Sequence, residues 1–121
     1  MLLLCADDEE DIRTILEMSL ALDPGIEAEI VNGGRALLAR ASARPWDGFV
    51  VDGTMPDLDG LEVCKQLKAN AQTASIPVIF LTGRSQKMQV EQAKEAGAAA
   101  TIAKPFDPLS LAGDIRRILG A

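Results

Sequence analysis

The sequence predicts an α/β fold, a doubly wound parallel sheet with helices on both faces. Two features of the 121 residues carry that reading. Five short apolar runs recur along the chain, and each is followed by a stretch with helical spacing. The runs are continuous rather than alternating, which suits parallel strands covered by helices on both sides.

Taken in order, strands are expected at residues 2–6, 26–31, 48–51, 78–81 and 99–103. Between them, Ile12, Ile15, Leu16 and Leu20 mark the apolar face of the first helix, and Leu61, Cys64 and Leu67 that of the third. Leu109, Ala112, Ile115 and Leu119 mark the last. The fourth helix, about 85–96, offers only Met88, Val90 and Ala93, so the most mobility is expected there. Punctuation agrees with the periods. Pro77 stands at a strand entrance, and Ser85 is a candidate cap of the fourth helix. Gly97 is a helix stop, and Asp107 followed by Pro108 reads as an N-cap with proline at the first helical position. No repeat, linker or low-complexity segment divides the chain, so residues 1–121 read as one domain. At this length roughly two-thirds of the unfolded surface is buried on folding.

Composition excludes several chemistries. There is no histidine, which removes Ser-His-Asp and Cys-His catalysis, histidine metal sites and an internal phosphohistidine relay. Cys5 and Cys64 lie far apart inside apolar patterns, which fits two buried thiols in a reducing compartment rather than a redox pair or a zinc site. The net charge of -6 argues against direct nucleic-acid binding. No apolar run reaches the ~20 residues that span a bilayer. The first six residues lack a basic leader and run straight into acid, so the chain is expected to be cytoplasmic.

In an open parallel sheet, functional groups gather outside the carboxyl ends of the strands. Those ends carry Asp7 and Asp8, then Asp52, then Thr82 and Gly83, then Lys104. An acidic pair before a helix ordinarily serves as an N-cap, and a lone Thr or Lys in a loop is ordinarily solvated. Their joint placement on one rim favours a site. Carboxylates ~5 Å apart repel by roughly 3 kcal/mol per pair at an effective dielectric of 20, and a divalent cation relieves that. Oxygen-only ligands point to Mg²⁺, with Mn²⁺ as a substitute. Three aspartates, one such cation and Lys104 sum to zero, leaving room for the charge of a phosphoryl group.

These residues and their flanks resemble a response-regulator receiver domain, the phosphoacceptor module of two-component signalling, from end to end. The matching segments are Asp7-Asp8, residues 50–60 (Val-Val-Asp-Gly-Thr-Met-Pro-Asp-Leu-Asp-Gly), Leu81-Thr82-Gly83 and Ala103-Lys104-Pro105-Phe106. Asp52 follows Asp8 by 44 residues and precedes Thr82 by 30 and Lys104 by 52, separations that also fit. The resemblance implies a flavodoxin-like five-stranded sheet of order 2-1-3-4-5 and a cis Lys104-Pro105 bond. It implies that Asp52 accepts a phosphoryl group from the phosphohistidine of a histidine kinase or phosphotransfer protein. Asp8, Asp52 and the Thr54 carbonyl would ligate Mg²⁺, with Asp7 acting mostly through water. Thr82 and Lys104 would each hold a phosphoryl oxygen, and the backbone at Gly53 and Gly83 would face the group. Such a domain is no enzyme acting on others, though it catalyses its own phosphotransfer and dephosphorylation. Phosphoryl transfer passes through a loose transition state, so an in-line carboxylate and fixed positive charge are the chief needs.

Two positions depart from the family pattern. Thr101 stands where many members carry Tyr or Phe, which puts an aromatic switch partnered with Thr82 in doubt. Gly53 stands where a larger residue is common. Phe106 reads as core. The output surface is expected at the fourth helix, fifth strand and fifth helix, reached by a pull on residues 82–85, for an output protein or domain or a second copy of the chain. A dehalogenase-type phosphatase reading of Asp52-Gly53-Thr54 fails, because its nucleophile would fall on Val50. A flavin-binding reading fails for want of aromatics and of a glycine-rich loop. The remaining alternative is a receiver-like protein-binding module that works unphosphorylated.

Overall fold

The computed structural model describes residues 1–83 and 87–120, and along them strand and helix alternate. The order is β1 (Leu2–Ala6), α1 (Glu10–Ala21), β2 (Glu27–Val31), α2 (Gly34–Arg40), β3 (Gly48–Asp52), α3 (Gly60–Ala69), β4 (Val78–Gly83), α4 (Lys87–Glu95), β5 (Ala100–Lys104) and α5 (Leu111–Leu119). All pairings are parallel, and the sheet order is β2-β1-β3-β4-β5, as expected. Lys104-Pro105 is cis.

The continuous apolar runs bury as predicted. β3 is buried along its whole length, and β1 and β4 nearly so, while the edge strands β2 and β5 are only half-buried. Alternate residues feed two cores. Leu4, Ala6, Phe49 and Val51 pack with Leu37 of α2 and Val63, Cys64 and Leu67 of α3. On the other face Leu3, Cys5, Val50, Ile79 and Leu81 pack with Leu16 and Leu20 of α1 and Leu111 and Ile115 of α5, and Phe106 rests against this second core. Both cysteines are free and buried, one in each core.

The strands run further toward their carboxyl ends than the apolar pattern does. β3 takes in Asp52, paired with Leu81, and β4 takes in Thr82 and Gly83, paired with Ala103 and Lys104. Backbone pairing needs no apolar side chain, so the ladder carries polar residues to the rim. At the other end Ile26 donates its N–H to the Asp23 carbonyl, a turn that delays β2 to Glu27.

Three expectations about helices need correction or limit. Leu109 does not face the core and is 83% exposed. The reason is local: Asp107 Oδ1 accepts the Leu109 N–H at 2.9 Å and the Asp107 carbonyl accepts that of Leu111, so Asp107 and Pro108 build a turn before α5 rather than its cap. Met88 is also exposed, and Ala93 alone in α4 is fully buried. The Ser85 cap lies outside the described residues. Gly97 follows α4 with φ +99°, a left-handed stop.

Gly60, the first residue of α3, lies directly against the Asp52 carbonyl and the Gly53 Cα, so a Cβ there collides with backbone. This close approach ties the α3 N-terminus to the end of β3. Gly60→Ala is expected to lose about 1–3 kcal/mol in denaturant unfolding. Gly113→Ala, exposed within α5 and with nothing within 4 Å of its Cβ, should instead gain about 0.5–1 kcal/mol.

Candidate functional site

In the order β2-β1-β3-β4-β5 the chain passes outward from β1 to β2 and then returns to β3, so a crevice opens between the carboxyl ends of β1 and β3. Asp7 and Asp8 follow β1, Asp52 ends β3, Thr82 lies in the last turn of the β4 ladder, and Lys104 ends β5. A cleft of about 350 Å³ there is bordered by Asp8, Glu9, Asp52, Thr54, Leu81, Gly83, Gln89 and Lys104.

Asp7 and Asp8 do not cap α1. The N-cap is Glu9, which makes no side-chain capping bond, and Asp7 Oδ1 instead accepts the Glu9 N–H at 2.9 Å. Arg13 Nη1 donates to the Asp7 carbonyl at 3.0 Å and pins the same turn. Asp7, wholly buried, is thereby aimed at the crevice. The loop after β3 divides its acids by task. Asp57 accepts the N–H groups of Gly34 and Arg35 at the start of α2, and Asp59 accepts that of Leu61 and caps α3. The Arg35 N–H and then that of Gly34 hold the Asp57 carboxyl below the usual range. Asp52 is left for the cleft.

The Lys104 ammonium reaches back from the edge strand and donates to Asp52 Oδ1 at 2.9 Å and to Asp7 Oδ2 at 3.3 Å, with Glu9 Oε1 at 3.9 Å. The Thr54 N–H donates to the same Asp52 Oδ1 at 3.3 Å. Asp52 Oδ2 is buried and has no partner among the described residues. One oxygen of Asp52 is thus fixed and the other is without a partner among the described residues. Burial pushes the Asp52 carboxyl up to about 6, against the lowering pull of the Lys104 hydrogen bond, and the Asp7 charge pushes it further. Burial alone would lower the Lys104 ammonium, but the hydrogen bond and charge of Asp52 outweigh it and hold its pKa above the ordinary value.

Asp7, Asp8 and Asp52 each bring a carboxylate oxygen within 4.8 Å of the others. Lys104 pairs with Asp7 and Asp52 but not with Asp8, and an orphaned Asp52 oxygen remains, so the donor set fits a small hard cation. Thr82 is buried beside the acceptor strand, and Thr101 is half-buried on β5, paired with Phe80. The two backbone sites differ. The Gly53 N–H is engaged with the Leu81 carbonyl at 2.8 Å as part of the sheet, while Gly83 borders the cleft.

Sequence reasoning missed Glu9 and Gln89. Glu9 has no signal beyond its place after the acidic pair. Gln89 comes from α4 and is brought in by the bare backbone at Gly53, where a Cβ would stand 2.6 Å from its Nε2. The unusual glycine was the available clue.

The sequence profile described as the response regulator receiver domain matches residues 3–116. The response regulator MprA of Mycobacterium leprae is 38% identical over 120 residues, 98% of this chain and 51% of that protein. This chain spans about half the length of the curated relatives it matches. Among solved structures, the chemotaxis response regulator CheY4 of Vibrio cholerae is similar with TM-score 0.87 and 29% identity, covering 97% of each chain. The receiver domain of a sensor histidine kinase of Pseudomonas aeruginosa is similar with TM-score 0.87 and 25% identity, covering 99% of this chain and 98% of that one. That structure holds a magnesium ion coordinated in its active-site cleft.

The sign of the Asp52 shift fixes a pH dependence for the metal-free protein. Its folded pKa is raised from 3.8 to about 6, so between those values the folded state binds more protons and this group's contribution falls as pH rises. Asp52→Asn is expected to add stability on the order of 1–3 kcal/mol at pH 7 and nothing below about pH 4. Unfolding curves with chelator at the two pH values check this.

Proposed function

The chain belongs to the response-regulator receiver domain family, and from that premise we propose that residues 1–121 act as one phosphoacceptor domain with Asp52 as acceptor. Receiver domains of this family serve phosphorylation-based two-component signalling. The observation that carries the assignment is the split of the Asp52 carboxylate. Oδ1 is held by Lys104 and the Thr54 N–H, and Oδ2 is buried without a partner among the described residues.

Oδ2 attacks the phosphorus of a phosphohistidine supplied by a histidine kinase or histidine phosphotransfer protein. The O–P bond forms, the N–P bond breaks in line, and its electron pair leaves with the imidazole. Asp8, Asp52 and the Thr54 carbonyl, with Asp7 behind them, would hold Mg²⁺ or Mn²⁺. Bound there, the ion supplies positive charge to the phosphoryl oxygens. Lys104 exchanges Asp52 Oδ1 for a phosphoryl oxygen, and the Thr82 hydroxyl donates to another. Gly83 leaves space beside the group, and we assign Gly53 a spacing role because its N–H serves the sheet. In self-dephosphorylation water attacks phosphorus, the P–O bond to Asp52 breaks with its electron pair left on the carboxylate, and inorganic phosphate departs with the water's oxygen and protons.

The output surface is α4, β5 and α5. Its support is the thin anchoring of α4, where Ala93 is fully buried and Met88 is 73% exposed. Thr101 on β5 is too small to fill the space vacated by Thr82 as a ring would, so a backbone shift carries the change. The partner is an output protein, an output domain or a second copy of the chain. Among the described residues no helix is long and apolar enough to cross a membrane. The net charge of -6 leaves nucleic acid to the partner.

Incubation with a small phosphodonor and Mg²⁺ should add the mass of one phosphoryl group, and Asp52→Asn should remove it. Uptake by that variant at the wild-type rate, or none by the wild type, overturns the assignment, and the second result favours a module that works unphosphorylated. Asp8→Ala is expected to weaken Mg²⁺ binding more than Asp7→Ala in a metal titration.

A further inference from the structure

Two polar side chains of the cleft have no place in the scheme above, Glu9, which is exposed, and Gln89 of α4, and it is Gln89 that carries a sealed atom. Its Oε1 is sealed from water and has no partner among the described residues. An amide acceptor in that state is ordinarily costly to keep, so some other demand holds the residue there. The amide lies against Gly53, the residue after Asp52, with Nε2 and Cδ 2.6 and 2.8 Å from where a Cβ would be, and Cε1 of the buried Phe80 ring is also 2.6 Å from that point. Any side chain at position 53 would crowd both. With Oε1 sealed, Nε2 is the end of the amide left to serve the cleft, whose lining also includes the charged Asp8, Glu9, Asp52 and Lys104.

We propose that Gln89 is a phosphoryl ligand supplied by α4, its Nε2 donating to an oxygen of the group on Asp52. The inference rests on Asp52 being the acceptor. A neutral NH₂ adds a donor without altering the charge balance of the site, and its hydrogen bond to an anionic oxygen is of the stronger kind. It also links the acceptor to α4 without an intermediary. Phosphorylation then draws the helix inward through its own third residue, a task that Thr101 is too short to perform from β5.

The test uses the full chain with Mg²⁺ and beryllofluoride as phosphoryl mimic. The Gln89 side-chain NH₂ resonances, identified by their loss in Gln89→Met, are expected to shift and to exchange more slowly when the mimic binds. Gln89→Met should weaken beryllofluoride about tenfold or more, the worth of one hydrogen bond to a charged group. It should also abolish the added hydrogen-exchange protection of residues 88–95. Gly53→Ala, which crowds both the amide and the buried Phe80 ring, should also weaken binding. Binding of the mimic with unmoved Gln89 NH₂ resonances overturns the inference, whatever the variants do, and leaves Asp52 as acceptor. Failure of the wild type to bind the mimic or take up phosphoryl overturns the acceptor assignment and the inference with it.

Discussion

The Lys104 ammonium sits between the Asp52 and Asp7 carboxylates, 2.9 and 3.3 Å away, and both carboxylates are buried. Two like charges taken out of water repel strongly. The shared ammonium is what lets them stand together at the ends of β1 and β3. It comes from β5, two strands away from β3, so the pairing also draws the edge of the sheet toward its centre. Because two carboxylates divide one cation, the arrangement stays short of positive charge. Burial, and after it the Asp7 charge, leaves Asp52 raised to about 6, and the shortage makes the rim receptive to a divalent ion.

Most of the fold was legible because a parallel sheet covered on both faces writes itself as continuous apolar runs. The sheet interior followed those runs residue by residue at β1, and differed elsewhere by one or two residues at the ends. Those ends are where polar residues continue the backbone ladder, as Asp52, Thr82 and Lys104 do, and hydropathy does not register them. Leu109 was misplaced for a different reason. Its spacing matches α5, but the Asp107 side chain closes a turn ahead of the helix and leaves Leu109 outside it. An Asx turn and an N-cap use the same residue types, so local sequence does not separate them.

The convergence of Asp52, the acidic pair, the threonine and the lysine was readable from position, since strand ends converge in this topology whatever the loops do. Gln89 was not readable, because its approach depends on how α4 lies over the sheet. What the sequence did show was the vacancy it fills. Glycine after Asp52 removes a wall between the acceptor and α4, and threonine at position 101 removes a bulky lever from β5. Under the role proposed for Gln89 the two departures from the family pattern are complementary: a shorter route from Asp52 to the helix would stand where the longer one is missing.

The two thiols lie one in each core, Cys5 wholly buried under α1 and α5 and Cys64 packed in α3 with its Sγ donating to the Ala96 carbonyl at 3.4 Å. Burial pushes the Cys5 thiol up to about 12, and it raises that of Cys64 against the lowering pull of Lys68. A thiol that stays protonated neither attacks a disulfide nor yields readily to peroxide. The sheet also separates the two sulfurs, so they cannot pair without unfolding. The thiols are thereby closed to disulfide exchange in the folded state, which leaves the exposed Met18 and Met88 as sulfurs open to oxidants.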